Sequence, residues 1–209
     1  MKFEQYIKES KRTMNDKGFE LNVYHACLGI ITESAEIVDT VKKHVYYDKE
    51  LDLNNINEEI GDLLWYIAIL YREFPDLEMF ETSFVFDGLE KTTKERTTRQ
   101  LIIVCLNFNK YTANFVNLLQ FLELQLSESD ILIKKLYSCL SILIREIYLL
   151  IKLSNINLET DLETILDINI AKLKVRYPDK FTNELALNRY LDKEKEVLYN
   201  HEINKDFTV

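Results

Sequence analysis

Glycine and proline are scarce, with 4 and 2 occurrences in 209 residues. So few breakers leave little material for the tight turns of a strand-rich fold. The long Leu/Ile/Glu/Lys-rich segments between them point to an all-α chain. Cysteine is also sparse: Cys27, Cys105 and Cys139 are an odd number without motif spacing, which argues against a disulfide framework or a zinc site. Each sits in an apolar helical run and reads as a buried free thiol in a reducing cytoplasm. Positive charge is in deficit, 26 Lys and Arg against 35 Asp and Glu. That balance disfavours a binder of nucleic acid polymers, which needs a basic face, and suits a protein that gathers carboxylates around divalent cations. No uninterrupted hydrophobic span occurs either. The most apolar stretch, "LYSCLSILIREIYLLIKL", is broken by Arg145, Glu146 and Lys152, so it reads as a core helix and no membrane contact is expected. The amphipathic start "MKFEQYIKESKRTM" carries acids and is not a signal peptide. There is no P-loop, no GxSxG and no Cys–His pairing suggestive of a nucleophile.

What is present is a series of helical patterns, read as a single domain over 1–209. A short helix is expected over about 2–14, stopped near Gly18. A long one follows over about 21–44, then a loop "YYDKELDLNN". The next helix is capped by Asn55 or Asn57 and ends before Pro75. Residues 76–95 are less regular, with a turn at Gly88. Two long apolar helices, about 97–126 and 129–153, flank "SESD". Further helices are expected over about 158–176 and 183–199, and the tail "NHEINKDFTV" is expected to be mobile.

Within the second and third of these helices stand four acids that an apolar run does not explain. Glu33 and Glu36 are three apart in "ITESAEIV", and Glu59 and Asp62 are three apart in "NEEIGDLLWYIAIL". Residues three apart share one helix face. The stretch from about 43 to 56 lets the helices fold back antiparallel, so that the four carboxylates converge. Close carboxylates in a low-dielectric setting repel unless cations neutralise them, and hard oxygen ligands suit Mg²⁺, with Mn²⁺ as an alternative. Asp39 continues the same spacing, as a further ligand or as a partner of Lys43. Glu58 lies roughly 100° away around its helix and is expected to face solvent. His25 and His44 are not spaced as a zinc pair. Trp65 and Tyr66 read as core packing.

E-x-x-E followed by E-x-x-D on paired helices resembles the MazG-like, all-α nucleoside triphosphate pyrophosphohydrolases. "LGIITESAEIVDTVKKH" is similar to that family's first motif helix and "EEIGDLLWYIAIL" to its second. "NIAKLKVRYPDKF" is similar to its later Asn/Lys/Arg segment, and "YIKESKRT" to the N-terminal helix of phage-type members. The similarity covers 1–75, the motif helices, and about 155–199, the phosphate-binding and C-terminal helices. It implies a four-helix-bundle-like core and Mg²⁺-dependent cleavage of a (d)NTP to a (d)NMP and pyrophosphate. Glu33, Glu36, Glu59 and Asp62 would be the metal ligands and catalytic acids. Asn169, Lys172 and Arg176 share one helix face and form a plausible phosphate clamp, with Lys43 in reach of the same phosphates. The alternative is a nucleotide-binding or sensing protein of the same fold that turns over poorly.

Ala35 replaces a Gly often found between the first two glutamates of the family, a harmless change in a helix. Residues 76–155 have no counterpart in its short members and form an added helical pair. Residues 26–38 can be laid on 104–116, which places "CL" on "CL", Glu33 on Tyr111 and Glu36 on Asn114. With a two-residue slip, Glu59 meets Lys135 and Asp62 meets Ser138. The pair therefore reads as an insertion or as a degenerate repeat like that of the dimeric all-α dUTPases. A repeat would make the chain a monomer with an internal pseudo-dimer; otherwise a homodimer is expected.

Overall fold

Helix α3 (Leu53–Glu73) runs through the centre of the fold, and its sequence explains why. Ile56, Ile60, Leu63, Leu64, Ile67, Ala68 and Leu70 are all essentially inaccessible, so the helix is apolar around most of its circumference and is covered on several sides. In the computed structural model, which describes residues 1–75, 94–125, 130–154 and 162–203, eight α-helices and no strand are found. The partners of α3 are α1 (Phe3–Ser10), α2 (Phe19–Tyr47), α5 (Asp130–Ser154), α6 (Leu162–Arg176) and α8 (Leu191–Ile203). Helix α4 (Lys94–Gln125) pairs with α5 and packs along α2, while α7 (Asn183–Leu187) is a short turn before α8. Among the described residues no helix is long and apolar enough to cross a membrane.

The α2–α3 hairpin carries the acids, and glycine permits both its close approach, at Gly29, and that of α6 to α3, at Gly61. A β-carbon on Gly29 would fall 2.2 Å from the Tyr66 ring, and one on Gly61 would fall 2.9 Å from the side chain of Asn169. The chain ends of the core are tied together as well. The Arg12 guanidinium donates to the carbonyls of Tyr177 at 2.6 Å and Asp179 at 2.8 Å, and the Phe181 amide donates to the Arg12 carbonyl.

The observed boundaries differ from the expected ones in instructive places. The first helix gives way to a turn of 3₁₀ helix at Lys11–Thr13. Gly18, at φ 90°, caps the start of α2 directly, so that helix begins at Phe19. The cap of α3 is Asp52, whose carboxylate accepts from the Asn55 amide nitrogen, rather than Asn55 or Asn57. The helix expected over 183–199 is two helices, because Thr182 caps a short first one and the chain breaks at Asn188. The tail is helical as far as Ile203. The irregular region around Gly88, most of "SESD" and the last six residues lie outside the described residues. Cys27 and Cys105 are buried free thiols, and Cys139 is half-buried; burial pushes the first two up to about 12.

The contact at Gly29 yields a direct test of the hairpin. Gly29→Ala forces a methyl into the Tyr66 ring and should cost about 1–3 kcal/mol, the usual range for overpacking. A lower urea midpoint at unchanged slope is the expected readout, and an unchanged midpoint would show that the two helices can part without cost.

Candidate functional site

Three carboxylates meet where α2 crosses α3. Glu33, Glu59 and Asp62 each offer an oxygen, all lying within 4.8 Å of one another, the one such cluster among the described residues. The three-residue spacing on α3 accounts for Glu59 and Asp62, and the antiparallel return of α2 brings in Glu33. Glu59 is buried and accepts from the Asn55 amide at 2.8 Å, while the Asn55 oxygen in turn accepts from Thr40. Burial, a hydrogen bond shared with Glu33, and the charges of Glu36 and Asp62 together push Glu59 well above the carboxylate range. Burial likewise raises Glu33, with Asp62 and Glu36 adding to it. Such a cluster retains protons or takes up a cation, and a set of carboxylate oxygens fits a hard divalent ion. Glu36 is exposed and lines the same cavity without joining the tight trio.

Asp62 is fixed from across the core. Its carboxylate accepts from the Asn169 amide at 2.7 Å and from the Lys172 ammonium at 2.6 and 2.7 Å. The Tyr6 hydroxyl, from α1, lies 2.7 Å from the other end of the Asn169 amide and 3.1 Å from the Gly61 carbonyl. Lys172 is only 1% exposed and also reaches Glu58 at 3.2 Å. Burial alone would lower its pKa, but the charges of Asp62 and Glu58 outweigh that and raise it.

The expected clamp is therefore distributed differently. Asn169 and Lys172 are turned toward Asp62, and Arg176 lines the cavity. Lys43 is not among the residues that line the cavity: it pairs with Asp39 at 2.6 Å on an exposed face, where Asp39 also binds Lys42. Glu58 is not a solvent-facing residue but a partner of Lys172 on the cavity wall. The periodicity of α3 alone hides this, because the side of α3 facing α6 is set by tertiary packing.

The cavity holds about 520 Å³ and is lined by the acids together with Arg176, Arg189, Tyr177 and Phe181, a volume within the range of small-molecule sites. His25, Trp65 and Tyr66 also line it; Trp65 and Tyr66 pack against the core as expected and present part of their surface to the cavity. Trp65 and Tyr66 meet edge to face at 5.0 Å, and His25 packs against both. The Trp65 indole donates to Thr13 at 2.9 Å, which leaves its orientation fixed. Glu194, on α8, accepts from Arg176 and Arg189. Neither Glu194 nor Arg189 is marked by any motif, and a signal for them would require knowing that α8 folds back onto α6.

Residues 24–99 match the family model of the MazG nucleotide pyrophosphohydrolase domain. This bears out the resemblance read from the two motif helices, and it stops short of α6. No curated protein and no solved structure matches the chain.

Two outcomes follow from the electrostatics. Lys172→Met strands Asp62 and Glu58 without their buried cation and should cost roughly 3–5 kcal/mol in denaturant unfolding. A loss below about 1 kcal/mol would show that the pair is dispensable. Glu194 gives a pH signature. Burial would raise it, but the hydrogen bonds and charges of Arg176 and Arg189 hold it at about 2, below its ordinary 4.5. A depressed folded-state value adds stability that is fully present above the unfolded value and fades as pH falls toward the folded one. The difference in Tm between wild type and Glu194→Gln should therefore be constant above pH 5 and shrink steadily below 4.5. A difference independent of pH would sink this account of Glu194.

Proposed function

We propose that this protein is a Mg²⁺-dependent nucleotide pyrophosphohydrolase that cleaves a (d)NTP to a (d)NMP and pyrophosphate. The observation that carries the proposal is the convergence of Glu33, Glu59 and Asp62 within 4.8 Å at a cavity that arginines and aromatic rings also line. Glu33, Glu59 and Asp62, with Glu36 at their edge, would hold the metal, and Mn²⁺ fits the same oxygen donors. A divalent ion bound there supplies charge neutralisation on the α-phosphate and a more acidic water. Water adds to the α-phosphorus, the bond to the bridging oxygen breaks, and pyrophosphate leaves with that oxygen. Arg176 lines the same cavity and carries a planar donor set suited to phosphate oxygens. Asn169 and Lys172 act by holding Asp62 in its orientation. The faces of Trp65 and Tyr66, with His25, offer a base a place to stack.

The added helices α4 and α5 enter the proposal as a degenerate copy of α2 and α3. Ser34 and Thr112 occupy the same position when residues 26–38 are laid on 104–116, and their hydroxyls lie 3.4 Å apart. Equivalent residues meet in this way near a two-fold axis. The equivalents of the acids, Tyr111, Asn114, Lys135 and Ser138, carry no carboxylate. One chain would then hold one metal cluster and need no second copy to complete its core.

Screening nucleoside triphosphates with Mg²⁺ for pyrophosphate release tests the central reading. Glu59→Gln keeps the shape and removes a charge, and turnover should fall about 10²-fold or more; near-normal turnover would exclude the assignment. Binding of a triphosphate without pyrophosphate release from any of them would point to the sensing alternative. For the repeat, Mn²⁺ titration followed by paramagnetic resonance should saturate at one acidic cluster per chain, and a second equivalent site would refute it.

A further inference from the structure

We infer that Arg189, held beside Arg176 by the buried carboxylate of Glu194, is a second phosphate-binding guanidinium of the site and contacts the terminal phosphates of a polyphosphate ligand. The inference rests on the reading above in placing the phosphate chain in this cavity. Glu194 has a side chain only 4% exposed, although it lies in a polar terminal helix. One of its oxygens accepts from a terminal nitrogen of Arg176 at 2.5 Å and from a terminal nitrogen of Arg189 at 2.7 Å, and the other accepts from the Arg176 Nε at 3.1 Å. Two guanidinium groups are thus brought to a single carboxylate oxygen. Their combined charge exceeds that of Glu194, so a net positive charge remains there.

Both arginines line the same cavity as the acid cluster. Arg176 and Arg189 each spend two donors on Glu194, and Arg189, at 42% exposed, keeps its remaining N–H groups for another acceptor. A guanidinium has five N–H donors and favours paired contacts with phosphate oxygens. The acids of the cavity repel a polyanion, so its distal phosphates need cations, and this pair supplies them. Glu194 acts as a positioning residue: without it, two like charges drawn to one place would separate. A purely structural clasp joining α8 to α6 makes a different forecast, since it would alter stability and leave ligand affinity alone.

Calorimetric titration of the full chain with inorganic tripolyphosphate and equimolar Mg²⁺ separates the two. Arg189→Ala should weaken binding about 10- to 100-fold, the value of hydrogen bonds to charged groups; its ion pair with the buried Glu194 also supports the fold, so Tm is measured separately and affinity decides. Arg189→Lys keeps the charge without the fork and should recover part of the loss. Glu194→Ala should weaken binding as Arg189→Ala does, and Glu194→Gln, which still accepts hydrogen bonds, should weaken it less. In turnover, Arg189→Ala should raise KM with kcat nearly kept. Unchanged affinity in Arg189→Ala, or no tripolyphosphate binding by the wild type, would overturn the inference. Arg189-dependent binding in a protein that releases no pyrophosphate supports this inference and removes the hydrolase reading alone. Hydrolysis with affinity indifferent to Arg189 does the reverse.

Discussion

Lys172 places an ammonium between Asp62 and Glu58 with almost no access to water, and most of the site leans on that contact. The carboxylates of α2 and α3 repel one another at the distances observed, and their burial amplifies the repulsion. A cation from α6 offsets part of it and, in doing so, fixes α6 against α3. Taking an ammonium out of water is itself costly, and the cost is met only because its acceptors are close and well directed. The same contact that stabilises the cluster therefore decides how the later third of the chain docks.

From that ion pair a chain of polar contacts runs through three helices. Lys172 and Asn169 grip Asp62, Asn169 meets the Tyr6 hydroxyl, and Tyr6 touches the Gly61 carbonyl next to Asp62 in sequence. Gly61 has no side chain because Asn169 fills the space where one would stand. Packing and chemistry are thus set by the same residues. Asn55 does for Glu59 what Asn169 does for Asp62, so two of the three converging acids have an amide directed at them.

The meeting of Glu33, Glu59 and Asp62 was legible because its signal is local, although Glu36, expected to converge with them, stays outside the trio. Three-residue spacing on a helix fixes a shared face whatever the rest of the chain does, and a loop of the right length brings two faces together. The all-α class was legible for a similar reason, from the scarcity of breakers. What escaped was everything that depends on which helix packs against which. Glu58 looked solvated because α6 was not yet in place. Asn55 looked like a cap, yet its side chain serves Glu59 while Asp52 caps. Trp65 and Tyr66 pack against the core as read, but their share in the cavity was hidden, because an apolar ring beside a cavity has the same spacing as one beneath it. Lys172 and Arg176 shared a face, as expected, but burial gave one of them to Asp62 and the other to the cavity. Arg189 and Glu194 carried no pattern of their own.

The pairing of Asp62 with Lys172 spans 110 residues of chain. A polypeptide leaving the ribosome N-terminus first presents all its clustered acids long before it presents their counterion. In that interval α2 and α3 can pair through their apolar faces, but the carboxylates stay repelled and solvated. Arrival of α6 is what closes the cluster, and the Arg12 contacts to the carbonyls after α6 fasten that late segment to the earliest one. Assembly of the site is in this sense a late event of synthesis, and a chain cut off before residue 172 holds every acid of the cluster yet lacks the buried cation that offsets their repulsion.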